Sequence, residues 1–329
     1  MADTVLVTGG TGFVGGWAIV QLLQKGYQVR TTIRSAAKEE QVRKAVATQT
    51  EAGSRLSFAI ADLTDDKGWA EAVAGCAYVL HIASPLGGAE ADGQALIDTA
   101  VGGTLRVLKA AVHAGVKKVV LTSSTAACTP AQPLRRAIDE ADWTDVNQPD
   151  LAAYRKSKAI AEKAAWDFMA GKATKLVTLL PGAIFGPVLN KDQTGSVGFI
   201  QRLLNGNPPA MPRLAFNITD VRDLADLHIR AMESAAADGE RFIVMGDALW
   251  YHEMAEALRA GLGEAAAKVP TAKMPDLVFK GLAAVQPQMK ALLPLLGRTQ
   301  KFSTDKARRI LGYDPIPARQ VVVDTGASL

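Results

Sequence analysis

The run Thr8-Gly9-Gly10-Thr11-Gly12-Phe13-Val14-Gly15-Gly16, directly behind the apolar stretch 4–8, constrains this chain more than any other feature. It satisfies two glycine spacings at once, Gly10-x-Gly12-x-x-Gly15 and Gly9-x-x-Gly12-x-x-Gly15. Glycine is needed there because the turn requires unusual φ, the backbone must approach an anion, and the helix must pack close to the strand. Alone, a glycine string marks only a tight turn. Placed between a strand and a helix, it makes the helix N-terminus a cradle for a pyrophosphate. The expected contacts to a dinucleotide come from Gly9, Thr11, Gly12, Phe13, Val14 and Gly15.

The segments that follow keep the same grammar. Short apolar runs at 28–33, 56–61, 78–82, 118–123 and 175–180 alternate with helical periodicity at 12–25, up to about 48, and at 67–74, 94–114 and 150–169. Strand, helix, strand, helix implies a parallel sheet covered on both faces. The fold class is therefore α/β, a Rossmann doubly wound parallel sheet, with ligands at the carboxyl ends of its strands. After Pro181 the pattern breaks into Gly- and Pro-rich loops, and the final third carries Pro270, Pro275, Pro287 and Pro294. This predicts a nucleotide-binding domain over 1–182 with 214–246 returning to it, and a smaller, mostly helical substrate domain over 183–213 and 247–329.

Composition excludes other classes. Of 329 residues, 48% are hydrophobic and 21% charged, near the average of a globular protein and far from a disordered or fibrous chain. The net charge, 37 − 33 = +4, is spread along the chain and argues for neither nucleic acid nor a membrane surface. The longest apolar stretch, 176–189, is broken by Pro181, Gly182, Gly186 and Pro187, so no membrane span is expected. Cys76 and Cys128 fit neither a disulfide framework nor a zinc site. With no secretory pattern at the N-terminus, a reducing cytoplasmic setting is expected. The four histidines, His81, His113, His228 and His252, have no metal-ligand spacing, so no metal is expected. Monomer and homodimer both stay open.

About twenty residues after the glycine loop, a fold using NAD places an acid on the ribose 2′-hydroxyl. Here the strand ends in Thr31-Thr32-Ile33-Arg34, and Lys38 lies one turn further. Two cations suit a 2′-phosphate, which points to NADP(H). At the third strand end, Asp62 is placed to accept a hydrogen bond from the adenine amino group, with Leu63 covering the ring, or else to act as a plain helix cap. After the fourth strand, Ile82, Ala83 and Ser84 are small enough to let a ribose and nicotinamide pass.

The reacting groups come next. Tyr154 and Lys158 share one helix face at i,i+4 spacing. A phenol with an ordinary pKa of about 10 is a poor acid–base catalyst at neutral pH, and a nearby ammonium favours its phenolate. The fifth strand ends in Thr122-Ser123-Ser124, which brings a hydroxyl to the same sheet edge, with Thr122 beside the cofactor. Ser124 could hold a substrate carbonyl while Tyr154 delivers a proton and a cofactor delivers hydride. The conjunction of glycine loop, strand-end Ser and Tyr/Lys helix is far more specific than any part. The long loop 126–143, with Pro85, Leu86 and the segment 185–199, is expected to shape an apolar pocket, Ala126 and Phe185 contributing to its lining and Phe216 nearby.

With these residues in view, the chain resembles the extended branch of the short-chain dehydrogenase/reductases, in the group of dihydroflavonol and cinnamoyl-CoA reductases. The resemblance spans nearly the whole chain. It rests on Thr8-Gly-Gly-Thr-Gly-Phe-Val-Gly15, Thr32-Ile-Arg34, Asp62-Leu63, Ala83-Ser84-Pro85, Val101-Gly-Gly-Thr104, Thr122-Ser-Ser124, Asp139-Glu140 with Trp143, Tyr154-x-x-Ser-Lys158 followed by Ala161-Glu162, Gly186-Pro187, and Val221-Arg-Asp223 with Ala225 and His228. It implies Ser124, Tyr154 and Lys158 as catalytic triad, Arg34 and Lys38 as readers of NADP, and Pro181 with Ile184 flanking the nicotinamide. Two departures redirect the substrate. Where plant cinnamoyl-CoA enzymes carry Asn-Trp-Tyr-Cys before the Tyr, this chain reads Pro149-Asp-Leu-Ala-Ala153, and the loop 125–143 shows no match to the flavonoid enzymes. An NADPH-dependent reductase of a free aldehyde or ketone is therefore expected. The rivals are a nucleotide-sugar epimerase or dehydratase, a hydroxysteroid dehydrogenase, and a non-catalytic NADP-sensing protein.

Overall fold

The computed structural model describes residues 3–85, 93–132, 134–149, 151–191, 195–290 and 292–329. The first half alternates as the sequence predicts: β1 (Thr4–Val7), α1 (Phe13–Gln24), β2 (Gln28–Ile33), α2 (Glu39–Ala47), β3 (Leu56–Ile60), α3 (Trp69–Val73), β4 (Tyr78–His81), α4 (Gly93–His113), β5 (Lys118–Thr122), α5 (Ala153–Met169) and β6 (Lys175–Pro181). The elements after it are shorter: β7 (Ala183–Phe185), α6 (Val197–Leu204), β8 (Ala210–Met211), β9 (Ala215–Asp220), α7 (Val221–Glu233), β10 (Arg241–Val244), β11 (Ala248–Trp250), α8 (Tyr251–Leu262), β12 (Ala272–Lys273), α9 (Asp276–Val285), α10 (Pro287–Lys290), α11 (Asp305–Leu311) and α12 (Ala318–Ala327). Among the described residues no helix is long and apolar enough to cross a membrane.

Two compact units result. The first comprises 1–181, 224–244 and 302–313. Its seven strands are all parallel, in the order β10-β6-β5-β4-β1-β2-β3. This is a doubly wound, Rossmann-type sheet. Its central strands read as apolar runs, such as Val5-Leu6-Val7, because helices bury both faces, while the outer β2 and β3 mix in polar residues. One such face packs Leu6, Val79 and Val119 of the sheet under Trp69, Val107, Leu108 and Ala165 of α3, α4 and α5. The strand order reverses between β1 and β4, which opens the crevice that a doubly wound sheet uses for its ligand. The glycine loop leaves β1 there, beside the residues that follow β4.

The second unit comprises 182–223, 245–301 and 314–329. It holds a three-stranded sheet, β11-β9-β7, and the pair β12-β8. Its core joins Ile200, Leu203, Met254, Leu258, Val321 and Val322. Two segments fall differently from the expected boundaries. Residues 214–223, expected with the nucleotide-binding part, belong to the second unit because β9 pairs with β7 on one side and β11 on the other. Residues 302–313, expected in the substrate domain, belong to the first unit. Phe302 bridges Ile138, and α11 packs on β10, covering the open edge of the large sheet.

Candidate active site

The glycine loop is built around one hydroxyl. Thr8 Oγ1 accepts the N–H groups of Ile82 and Ala83 at 3.0 and 2.9 Å and lies 2.9 Å from His81 Nδ1. With its lone pairs taken by two N–H donors, Thr8 gives its own proton to the imidazole. That fits a neutral His81, whose pKa burial and the charge of Lys158 pull down to about 3. The end of β4 is thus clamped to the loop. Gly9 has φ 77°, a left-handed value, and its N–H donates to Thr32 Oγ1 at 3.0 Å. A side chain at Gly15 would collide with the Gly9 carbonyl oxygen, so helix α1 can start against the loop only with glycine there. Gly12 occupies the N-cap without a side-chain cap, and the first turn of α1 holds no acid. The Gly12 N–H is taken by the Gly9 carbonyl at 2.9 Å, and the backbone groups of Thr11, Phe13, Val14 and Gly15 around it form a positively polarised helix start, which fits a pyrophosphate.

On the far side of this crevice, Arg34 stands exposed after β2, and Lys38 closes a single turn 36–38 with Nζ on Gln41 Oε1 at 3.0 Å. Asp62 Oδ1 accepts both the N–H and the hydroxyl of Thr64, at 2.8 and 2.7 Å. These bonds, with a smaller pull from Arg34, hold the Asp62 carboxyl below the usual carboxylate range. Asp62 thus closes an Asx turn and caps no helix, the N-cap of α3 being Gly68, and an adenine contact would use Oδ2. Leu63 is half-buried against Gly103 of α4.

The groups expected to react gather at the ends of β4, β5 and α5. Ser124 is buried, and its Oγ accepts the Ala126 N–H at 3.1 Å. That bond uses a lone pair and leaves the hydroxyl hydrogen for another acceptor. Tyr154 is half-buried in the first turn of α5. One turn on, Lys158 is only 8% exposed, with Nζ 5.7 Å from the Tyr154 ring centre. Its ammonium donates to Ser84 Oγ at 2.8 Å. A buried cation held by one neutral acceptor has two further N–H donors to offer. Ser84, expected only as a small residue along the cofactor, is therefore also the support of Lys158.

Thr122 Oγ1 lies 2.7 Å from His228 Nε2, and His228 Nδ1 lies 2.7 Å from the Leu224 carbonyl. A carbonyl only accepts, so Nδ1 carries the proton and the Thr122 hydroxyl donates to Nε2. Pro181 ends β6, and its carbonyl accepts the Thr125 hydroxyl at 3.3 Å. The loop behind Ser124 is tied by Thr144 Oγ1 to the carbonyls of Ala126 and Thr129, both at 2.8 Å, and by Arg155 Nη2 to the Thr129 carbonyl at 2.7 Å. Ile82, Ala83 and Pro85 follow β4, while Leu86 lies outside the described residues. Ile184 and Phe185 are on β7 in the second unit. There the Phe185 ring is fully buried in the core, edge-on to Phe216 at 6.3 Å, so it acts on the unit from within.

Sequence reasoning did not single out Glu162, Ser123 and Arg241 for a role in the site. Glu162 continues the spacing of Tyr154 and Lys158 by one more turn, a readable signal. Arg241 is 79 residues away and carries none.

Comparison with known proteins places the chain in a family. Residues 5–246 match the NAD dependent epimerase/dehydratase family. An anthocyanidin reductase of Vitis vinifera is 36% identical over 253 residues, covering 72% of this chain and 74% of that protein. A cinnamoyl-CoA reductase of Petunia hybrida is 32% identical over 99% of this chain and 92% of its own. Among solved structures, Gre2 of Candida albicans in complex with NADPH superimposes with a TM-score of 0.82 at 28% identity, covering 99% of this chain and 98% of that one.

Proposed function

Because the chain belongs to the NAD dependent epimerase/dehydratase family, among relatives that are reductases of the extended short-chain type, we propose that it is an NADPH-dependent carbonyl reductase. The observation that carries this reading is the buried Lys158 ammonium, on Ser84 Oγ at 2.8 Å and 5.7 Å from the Tyr154 ring centre, at the sheet edge where β5 runs into Ser124 and β1 into an uncapped glycine loop. Arg34 and Lys38 would hold the 2′-phosphate of an NADPH seated at that loop, which when bound would supply a hydride. Asp62 and Leu63 would receive the adenine, and Ile82, Ala83, Thr122 and Pro181 would border the nicotinamide ribose and ring.

Ser124 donates its free hydroxyl hydrogen to the substrate carbonyl oxygen and so polarises the bond. Tyr154 gives its phenolic proton to that same oxygen as the carbon accepts the hydride, so an aldehyde or ketone becomes an alcohol. Lys158, braced by Ser84, uses its remaining N–H groups to hold the nicotinamide ribose and keep Tyr154 oriented. Burial of Lys158 strengthens these contacts, since little water screens them. Pro85 and Ala126 line the substrate side. The substrate class is an aldehyde or ketone with an aryl or medium alkyl group. The reductase relatives, and two cations where an NAD fold carries an acid, favour this over an epimerase.

The test is the initial rate of NADPH and NADH oxidation with a panel of aromatic and aliphatic carbonyls, run beside Tyr154→Phe. Turnover with NADPH, reduced about 10²-fold or more in the variant while NADPH affinity holds, is expected. A Tyr154→Phe enzyme as fast as the parent would overturn the assignment.

A further inference from the structure

Behind the reacting side chains lies a buried ion pair that the chemistry above does not use. Glu162 sits on α5 one turn beyond Lys158 and is 1% exposed. Its Oε1 accepts from Arg241 Nε and Thr178 Oγ1, both at 2.8 Å, and from Trp166 Nε1 at 3.3 Å. Its Oε2 accepts from Ser123 Oγ at 2.5 Å and from Arg241 Nη2 at 3.4 Å. Every donor comes from a different part of the same unit: the end of β5, the middle of β6, the start of β10 and α5 itself.

Arg241 extends the network outward. Its guanidinium lies 3.6 Å from the centre of the Trp143 ring, and Nη1 donates to the carbonyls of Glu140 and Asp142 at 2.5 and 3.1 Å. Glu140 Oε1 in turn accepts the Ile243 N–H at 3.0 Å. One carboxylate therefore joins three neighbouring strands and the loop before α5 to the helix that carries Tyr154 and Lys158. Ser123, its closest partner, is adjacent in sequence to Ser124. Lys158, Ser84, Ser123 and Glu162 also line a common small cavity of about 20 Å³, room for one water.

A buried ion pair gives little net stability over a well-packed apolar pair of the same volume. What it does give is a fixed geometry. Resting on the assignment of Ser124, Tyr154 and Lys158 above, we propose that Glu162 is a positioning residue. Through Ser123 and Arg241 it fixes the strand-end hydroxyl of Ser124 and the loop 139–143 against the face of α5 that presents Tyr154 and Lys158. It touches neither substrate nor cofactor, so it acts on kcat and leaves cofactor affinity alone.

The test compares the parent with Glu162→Gln, with the apolar pair Glu162→Leu/Arg241→Met, and with Tyr154→Phe, reading kcat, KM for a carbonyl substrate, NADPH Kd by fluorescence, and melting temperature. Glu162→Gln is expected to lose roughly 10- to 10²-fold in kcat, the scale of a displacement near 1 Å, with NADPH Kd within about 3-fold. The apolar pair is expected to regain melting temperature without regaining kcat. Recovery of kcat together with melting temperature in the apolar pair would mean that the ion pair only holds the fold, and the proposal fails. It fails equally if kcat falls only in proportion to the fraction of protein unfolded. Turnover lost in Tyr154→Phe but kept in Glu162→Gln removes this inference and leaves the reductase assignment standing. No turnover of any carbonyl by the parent removes both.

Discussion

Arg34 shows how much a single side chain decides at the residue scale. It is exposed after β2, and nothing in the packing of the sheet asks for a cation there. Its field reaches Asp62, whose carboxyl is already held low by Thr64. An exposed guanidinium contributes little to stability on its own, yet facing a phosphate it makes charge-assisted, bidentate hydrogen bonds. Arg34→Asp is therefore expected to leave the melting temperature almost unchanged. It should weaken NADPH roughly 30- to 100-fold, the equivalent of about 2 to 3 kcal/mol for lost hydrogen bonds to a charged group. NADH, with no 2′-phosphate, should lose little or bind slightly better through the new carboxylate. Fluorescence titration of both cofactors checks this, and equal losses would remove Arg34 from the cofactor site. Lys38, already on Gln41, should show the same preference more weakly.

At the scale of elements, the unit is held by cations placed where helices end. Lys118 opens β5 but its buried ammonium reaches across to the end of α7, donating to the carbonyls of Ala231 and Ser234 at 3.2 and 2.7 Å and pairing with Asp238 at 2.6 Å. It satisfies the Ala231 carbonyl, adds to the Ser234 carbonyl, which also accepts the Ala237 N–H at 3.2 Å, and lies at the negative end of the dipole. Lys118→Met keeps the stem but strands the Ala231 carbonyl and the Asp238 carboxylate, so a loss of about 3 kcal/mol is expected, read as a lower urea midpoint. A variant as stable as the parent would show that water replaces the ammonium there. The element boundaries that were legible in the sequence are those set by local pattern: β1, β4, β5 and β6 are built on apolar runs, β2 and β3 mix apolar with polar residues, and α5 announces Tyr154 and Lys158 by spacing. The glycine loop was legible because φ and close approach permit few other residues. What the sequence hid depends on partners far along the chain. Strand β9 alternates well enough to pass for sheet-edge material, and only its pairing with the three-residue strands β7 and β11 assigns it to the second unit. The return of 302–313 rests on one bridge from Phe302 and a seven-residue helix. In the candidate site, Ser84 was legible as a small residue, but its bond to Lys158 spans 74 positions and carries no periodicity.

On the scale of the whole molecule, the first unit carries two neutral imidazoles in its interior, and they couple its stability to pH. His81 is pulled down to about 3, by burial first and then by the Lys158 charge. His228 is pulled down to about 4 by burial, against the opposing effect of its bond to the Leu224 carbonyl. Unfolded, each takes up a proton near its ordinary value of about 6.5. Between that value and about 4, the unfolded chain thus binds up to two more protons than the folded one, and acid favours unfolding. The stabilisation is complete above about 6.5 and drains away as pH falls, at roughly 1.4 kcal/mol per pH unit for each imidazole once the window is entered. Glu140 works the other way. Burial raises its carboxyl, so it favours the folded state increasingly as pH falls toward the carboxylate range and softens the decline at the acid end. Asp62 and Asp142, both held low, add to the loss only below the ordinary carboxylate values. The slope between pH 6.5 and 5.5 therefore reports chiefly the two imidazoles. Urea midpoints measured from pH 7.5 to 5.0 should stay level at first and then fall steadily. His228→Asn, which keeps an acceptor for Thr122 but cannot titrate, should be less stable at pH 7.5 and show about half the slope, because one of the two imidazoles is gone. A flat profile in the parent would mean that both rings are protonated when folded, and the proton assignments around Thr8 and Thr122 would have to be reversed; half the expected slope would mean that of one ring only.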